Sequence, residues 1–196
     1  MHRIIHEKNV FKQSLSIEEG TIETETKTGG KETYTRLRVN RPDASAVFIF
    51  NEETQKVILT RQFRYAIASK VTSPILEIVA GKVDPGEAPD ETAIRESEEE
   101  SGYRIPRENL EHLASVFASP GYSSEKYHLY LAIVSNADKK TSGGGLEEEH
   151  ESIEEVALDF PLFRALVKAG EIADSKTLLA ALLLQDNNRF EKALKR

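Results

Sequence analysis

The sequence predicts an α/β protein, in which a small β-rich segment at residues 1–45 precedes an α/β body at residues 46–196. Three observations support this prediction. Strand-like alternation dominates the N-terminal segment, short apolar runs typical of buried strands recur through the middle, and the C-terminal third has helical spacing. Because a chain of 196 residues can bury a core without disulfide bonds, we expect one main domain with a β appendage.

The N-terminal segment is expected to form a β-hairpin. Residues 21–27 and 32–39 both alternate strand-forming side chains with charged ones, and Gly29 and Gly30 supply a turn between them. The pattern ends at residues 41–43, which include a proline.

The body begins with strands and ends with helices. Strands are predicted at residues 46–50, 56–60, 74–80, 113–118 and 127–134. Between them, a helix is predicted from Asp90, as its N-cap, to about Ser101, because Gly102 is a typical helix stop. Two further helices are predicted near the C-terminus, the first ending at Gly170 and the second capped by Asp174.

The composition argues against several classes of function. The chain has no cysteine, which excludes disulfides, thiolate metal sites and cysteine nucleophiles and makes a cytoplasmic location the default expectation. A net charge of −7, from 26 basic and 33 acidic residues, argues against a sequence-independent nucleic-acid partner. No signal peptide is evident, and the longest apolar run, residues 178–184, is too short to cross a bilayer and is expected to pack in the core. We therefore expect neither a nucleic-acid nor a membrane partner.

Three glutamates on the predicted helix carry the main functional signal. Glu99 and Glu100 follow Glu96 by three and four residues along the helix, so the three side chains share one face. Clustered carboxylates repel one another, and a divalent cation relieves that repulsion; oxygen ligands suit Mg²⁺ or Mn²⁺. Arg95 can pair with Glu87 and hold the helix in orientation. The alternative is a solvated acidic helix face, which charge runs usually form.

The spacing of these residues resembles the Nudix box, G-x5-E-x7-R-E-U-x-E-E-x-G-U, in which U is an aliphatic residue. The anchors of the box are all matched, by Gly81, Glu87, Arg95, Glu96, Glu99, Glu100 and Gly102. Ser97 and Tyr103 stand where the box has aliphatic residues, and both are packing positions. The resemblance implies an α/β/α sandwich with a mixed sheet, which hydrolyses nucleoside diphosphates linked to another group.

The resemblance also implies a role for each acidic residue of the box. Glu96 and Glu100 would be the main ligands of Mg²⁺ or Mn²⁺, with Glu99 assisting and the backbone carbonyl of Ala80 as a further ligand. We assign Glu99 and Arg95 to catalysis as well. Glu87 is assigned to the residues around the substrate.

Further segments resemble the ADP-ribose pyrophosphatase and GDP-mannose pyrophosphatase branch of the Nudix family. These segments are residues 57–64, 118–121, 124–126, 143–146, 151–154, 170–172 and 176–177. The branch implies Mg²⁺-dependent hydrolysis of a nucleoside diphosphate sugar to a nucleoside monophosphate and a sugar phosphate, with ADP-ribose or GDP-mannose as substrate. It also implies a homodimer joined through the N-terminal hairpin. The alternative is a Nudix-fold sensor that binds a nucleotide sugar without cleaving it.

In this branch the general base is commonly a glutamate on a loop outside the box. Glycines at 143–145, followed by an acidic stretch, have the composition of such a loop. We expect Glu149 to be the base and Glu151 to be an extra metal ligand. His150 could serve as the base at neutral pH, although a solvated loop histidine is the simpler interpretation.

Four further side chains are candidates for contact with the substrate. Arg61 and Arg64 lie on a strand continuation and could bind phosphate, or they could form surface ion pairs. Glu125 could reach a sugar hydroxyl or a metal ion, and Tyr122 could stack on a base. For both of these loop residues, simple solvation is the alternative.

Overall fold

A computed structural model of the chain describes residues 1–13, 15–145 and 152–195. The structure divides into two compact units. One unit comprises residues 1–43 and 116–126, and the other comprises residues 44–115 and 127–196.

The first unit contains a three-stranded antiparallel sheet. Its strands are β1 (His2–Lys12), β2 (Ser16–Glu25) and β3 (Lys31–Asn40), in the order β1-β2-β3. The predicted hairpin is confirmed as β2 and β3, with Ile22 opposite Tyr34. The amide of Thr26 donates to the carbonyl of Gly30 at 2.8 Å, which closes the turn. β1 was not predicted as a separate strand.

Residues 116–126 pack against the end of β3 within this first unit. The amide of Val39 donates to the carbonyl of Tyr122 at 2.7 Å, and the amide of Ser124 donates to the carbonyl of Val39 at 3.1 Å. Because these contacts join residues more than eighty positions apart, no local sequence pattern indicated them.

A seven-stranded sheet forms the centre of the second unit. Its strands are β4 (Ala44–Asn51), β5 (Lys56–Gln62), β6 (Ile75–Glu77), β7 (Val79–Lys82), β8 (Leu110–Phe117), β9 (Lys126–Val134) and β10 (Ile153–Asp159). The order is β10-β5-β4-β9-β8, while β6 pairs with β5 and β7 pairs with β4. Because β4 and β9 are parallel and the registered pairs of β5 are antiparallel, the sheet is mixed, as predicted.

Helices cover both faces of this sheet. The helices are α1 (Pro89–Ser101), α2 (Phe160–Ala169), α3 (Ser175–Leu183) and α4 (Asn188–Leu194). Successive residues of β4 point to opposite faces. Val47 belongs to the hydrophobic cluster that contains Ala93 of α1, and Phe48 belongs to the cluster that contains Phe163 and Phe190 of α2 and α4. The predicted α/β/α sandwich is therefore confirmed.

The ends of α1 only partly follow the prediction. Gly102 ends the helix in the left-handed region, at φ 75°, as expected. The N-cap is Ala88 rather than Asp90, because Pro89 takes the first helical position and the side chain of Glu91 accepts a hydrogen bond from the Ala88 amide at 3.1 Å. The N-cap is therefore two residues earlier than expected.

Three other expectations need correction. The strand predicted at residues 74–80 is two short strands, β6 and β7, which pair with different neighbours. β10 lies partly in the acidic stretch and was not predicted. In the apolar run at 178–184, Leu182 is 58% exposed and Leu183 is 36% exposed, so only part of the run packs in the core.

The N-cap of α3 is Asp174, as predicted. None of the helices in the described ranges is long and apolar enough to cross a membrane.

Candidate active site

The acidic residues of α1 lie against β7. The buried carboxylate of Glu100 accepts a hydrogen bond from the Ala80 amide at 3.1 Å. The carboxylate of Glu96 occupies the space in which a Cβ at residue 81 would stand, so only glycine fits at Gly81 with Glu96 in this position. The two glutamates that the sequence assigns to metal binding therefore both meet the segment that carries the Ala80 carbonyl.

Arg95 is bound to three carboxylates. Its Nε and Nη2 atoms donate to the two carboxylate oxygens of Glu87, each at 3.1 Å, so the pair expected from the sequence is present. Its Nη1 atom donates to Glu96 at 2.8 Å and to Glu99 at 2.9 Å. The bonds from Arg95 lower the pKa of Glu87 to about 2, against the opposing effect of desolvation, and Thr92 assists. Glu87 is therefore ionised at neutral pH and holds Arg95 beside the acidic face of α1.

The donor chemistry of this face suits a hard divalent cation. Glu96 and Glu99 already converge on one positive nitrogen, the Nη1 atom of Arg95, and their ligand atoms are oxygens. The part of the chain that the structure describes contains no group of three or more acidic or histidine side chains already gathered around one point as metal ligands. The oxygen ligands of these residues fit such an ion by their chemistry.

A buried charge network, which we call the Glu77 network, lies beside this face. Glu77 accepts hydrogen bonds from Nε and Nη2 of Arg64, at 2.7 and 2.8 Å, and from Lys176 at 2.5 Å. Lys176 also donates to Asp174 at 3.0 Å. Desolvation alone would raise the pKa of Glu77, but the bonds from Arg64 and the charge of Lys176 outweigh it and lower that pKa. Glu77 is therefore ionised at neutral pH although it is buried.

Arg64 is a candidate from the sequence, whereas its partner Glu77 was not predicted. The signal for Glu77 was its position as the one charged residue in the apolar run at residues 75–80. An ionisable side chain in a buried strand is rarely left without a partner. Lys176, the other cation bonded to Glu77, is ninety-nine positions away from Glu77 in the sequence, so this pair could not be identified from spacing.

Three of the other candidates have other neighbours or high exposure. Nη1 of Arg61 donates to both carboxylate oxygens of Glu154, at 3.1 and 2.9 Å, which is the ion pair considered as the alternative. In the first unit, Glu125 pairs with Arg41 at 3.3 Å, and Tyr122 is 61% exposed. The roles of these residues in substrate binding stay predictions.

The glycines ahead of the predicted base loop are bonded to α1. The amide of Gly144 donates to the carbonyl of Glu100 at 2.9 Å, and the amide of Gly145 donates to the carbonyl of Glu99 at 3.1 Å. These hydrogen bonds join the two glycines to the last turn of the helix. Glu149, His150 and Glu151 lie outside the described residues, so their predicted roles stay predictions.

Comparison with known proteins finds a family model and several relatives. The NUDIX domain model matches residues 39–178. A methanol dehydrogenase activator from Bacillus methanolicus is 38% identical over 165 residues, which cover 84% of this chain and 81% of that protein. A GDP-mannose pyrophosphatase from Citrobacter koseri is 32% identical, with 81% of this chain and 82% of that protein covered.

Two further similarities extend over most of the chain. A GDP-mannose pyrophosphatase from Klebsiella pneumoniae is 30% identical over 93% of this chain and 90% of that protein. The crystal structure of an ADP compounds hydrolase has the same fold, with a TM-score of 0.69 at 24% identity, and the match covers 94% of this chain and 92% of that one. From the family match, the curated relatives and the box on α1, the chain belongs to the Nudix hydrolase family.

Proposed function

We propose that this protein is a Mg²⁺-dependent pyrophosphatase of nucleoside diphosphate sugars, with ADP-ribose or GDP-mannose as substrate. The observation that carries the proposal is the meeting of Glu96 and Glu100 with residues 80–81, with Arg95 held against Glu96 and Glu99. The names of the GDP-mannose pyrophosphatases, at 30–32% identity, support the substrate class.

In this proposal, Glu96, Glu100 and the Ala80 carbonyl hold Mg²⁺ or Mn²⁺, with Glu99 assisting. A bound divalent ion neutralises the diphosphate and lowers the pKa of a bound water. Arg95 keeps Glu96 and Glu99 in place, while Glu87 keeps Arg95 in place. Glu149 removes the proton from the attacking water, and Glu151 adds a ligand for the metal.

Arg64 is the proposed phosphate contact. Its side chain is 40% exposed although two of its nitrogens are bound to Glu77, so the guanidinium is fixed in direction and still accessible. A guanidinium fixed in this way suits the bidentate recognition of phosphate oxygens. Arg61, Glu87, Glu125 and Tyr122 are proposed as further residues around the substrate.

A substrate panel tests the proposed activity. Purified protein at fixed Mg²⁺ is incubated with ADP-ribose, GDP-mannose, ADP-glucose and UDP-glucose, and the nucleoside monophosphates are quantified by chromatography. We expect release of AMP or GMP, and loss of the product when EDTA replaces Mg²⁺. Tight binding of a nucleotide sugar with no product would favour the sensor instead, and neither binding nor product would contradict both.

The similarity to a methanol dehydrogenase activator favours a second candidate function, activation of an alcohol dehydrogenase. The 38% identity to that relative, over 84% of this chain, is the observation behind it. The assay adds the protein with Mg²⁺ to an NAD-dependent methanol dehydrogenase and follows the absorbance of NADH. A faster rate would support this function, and an unchanged rate would exclude it for that dehydrogenase.

We also propose that the protein is a cytoplasmic homodimer joined through its N-terminal sheet. β1 is an edge strand that is exposed along its length, and its side chains include Ile4, Ile5, Val10 and Phe11. An exposed apolar edge strand of this kind normally has a partner. Light scattering should give twice the chain mass of 22.0 kDa, and a mass equal to one chain would contradict the dimer.

A further inference from the structure

Packing alone does not explain the Glu77 network. The side chain of Glu77 is 3% exposed and that of Lys176 is 8% exposed, so both charges are removed from water. Buried ion pairs seldom add net stability, and apolar residues of similar volume often replace them without loss. Because burial of these charges carries a desolvation cost, the network calls for a role besides packing.

The network fixes the direction of one partly exposed group. Nε and Nη2 of Arg64 donate to Glu77, whereas its third nitrogen, Nη1, does not bond to that carboxylate. The charges of Glu77, Glu100 and Asp174 each raise the pKa of Arg64, against the opposing effect of desolvation. Glu77, to which Arg64 is bonded, is three residues before Ala80, whose amide donates to the proposed metal ligand Glu100 at 3.1 Å. Arg64 is therefore close to the position where the diphosphate of the proposed substrate would lie.

The first turn of α3 supplies the other half of the network. Asp174 caps this helix by accepting from the amide of Thr177 at 3.0 Å, and its second oxygen accepts from Lys176 at 3.0 Å. The hydroxyl of Thr177 in turn accepts from the amide of Ile78 at 2.8 Å. Glu77 and the residue after it are thus both held by α3.

From this geometry we propose that Lys176 is a positioning residue for Arg64, acting through Glu77. The inference rests on the proposed function, because it assumes that Arg64 binds phosphate. Lys176 shares the negative charge of Glu77 and neutralises Asp174, so the two cations and two carboxylates of the network balance. Arg64 therefore keeps positive charge available for an incoming anion.

Removal of Lys176 should weaken the binding of a diphosphate. In Lys176→Met, Arg64 is the one cation left in the network with the two carboxylates of Glu77 and Asp174. The network then has a net negative charge, which repels the phosphates of the ligand. One unbalanced charge at this range should weaken the binding of ADP and GDP by about tenfold. The KM for an active substrate should rise to a similar extent, while kcat changes by less than about threefold, because no reacting atom is touched.

A double-mutant cycle separates positioning from a general structural role. ADP and GDP affinities are measured by calorimetry for wild type, Lys176→Met, Arg64→Lys and the double variant, in each of which Glu77 retains a cationic neighbour. If Lys176 acts through Arg64, the double variant should bind no more weakly than Arg64→Lys alone. Additive losses, or an unchanged affinity in Lys176→Met, would overturn the inference.

Asn187→Ala is the control for lost stability. Asn187 caps α4 by accepting from the amide of Phe190 at 2.9 Å, and it is not part of the Glu77 network. Its removal should lower the melting temperature without changing nucleotide affinity. Failure of wild type to bind ADP or GDP would overturn the inference, whereas normal binding without hydrolysis would contradict only the proposed function.

Discussion

Replacement of Glu100 by glutamine is expected to remove nearly all turnover while the fold survives. Glu100 is 3% exposed, and its carboxylate accepts from the Ala80 amide at 3.1 Å. Glutamine keeps the volume and a carbonyl oxygen for that bond but loses the negative charge that a divalent ion requires. We expect kcat to fall about a thousandfold, equivalent to about 4 kcal/mol of transition-state stabilisation. The measurement is kcat at saturating Mg²⁺, with circular dichroism to confirm the fold.

Glu98→Gln is the matched control, because Glu98 is on the same helix but binds elsewhere. Its carboxylate accepts from Nε and Nη2 of Arg104, at 2.9 and 2.7 Å, and takes no part in the contacts with residues 80–81. Its loss should leave kcat within about twofold, since surface ion pairs have small effects. Wild-type turnover in Glu100→Gln would show that the metal site has been assigned to the wrong face.

Gly81 is on β7, which packs against the glutamates of α1, and its replacement by alanine is expected to disrupt the proposed metal site. A Cβ at this position would overlap the carboxyl group of Glu96, which lies at the end of a flexible side chain. The side chain can rotate away, so the strand should persist while a ligand is displaced. We expect Mn²⁺ affinity, measured by calorimetry, to fall about 10- to 100-fold, which is the range for displaced supporting groups at metal sites.

Gly20→Ala provides the corresponding glycine control. Gly20 is in β2, and a Cβ there would meet only Ile22, at an ordinary 3.9 Å. This variant should bind Mn²⁺ as wild type does. If Gly81→Ala also retained full affinity, Glu96 would not be a ligand in the position seen here.

The sequence predicted α1 and the arrangement of its glutamates well because the information is local. Glu96, Glu99 and Glu100 are fixed relative to one another by helical geometry, and Gly102 ends the helix through its own backbone preference. The pair of Arg95 with Glu87 spans a short loop, so spacing was sufficient there as well.

The features that were missed depend on contacts between distant segments. β10 was not recognised because its acidic residues masked the alternation, and pairing with β5 makes it a strand. Leu182 was expected in the core because a continuous apolar run does not show which side faces the sheet. The Glu77 network joins segments that are about a hundred residues apart, and no local sequence pattern predicts contacts over that distance.

The placement of acidic residues along α1 has one more consequence. The carbonyl end of a helix carries partial negative charge, so anions there are unfavourable. α1, which the structure describes in full, has Glu96, Glu99 and Glu100 in its second half and no basic residue in its last turn. The amides of Gly144 and Gly145 offset part of this unfavourable dipole interaction. An ion bound by the glutamates would offset more of it, so we expect added Mg²⁺ to raise the melting temperature of this protein.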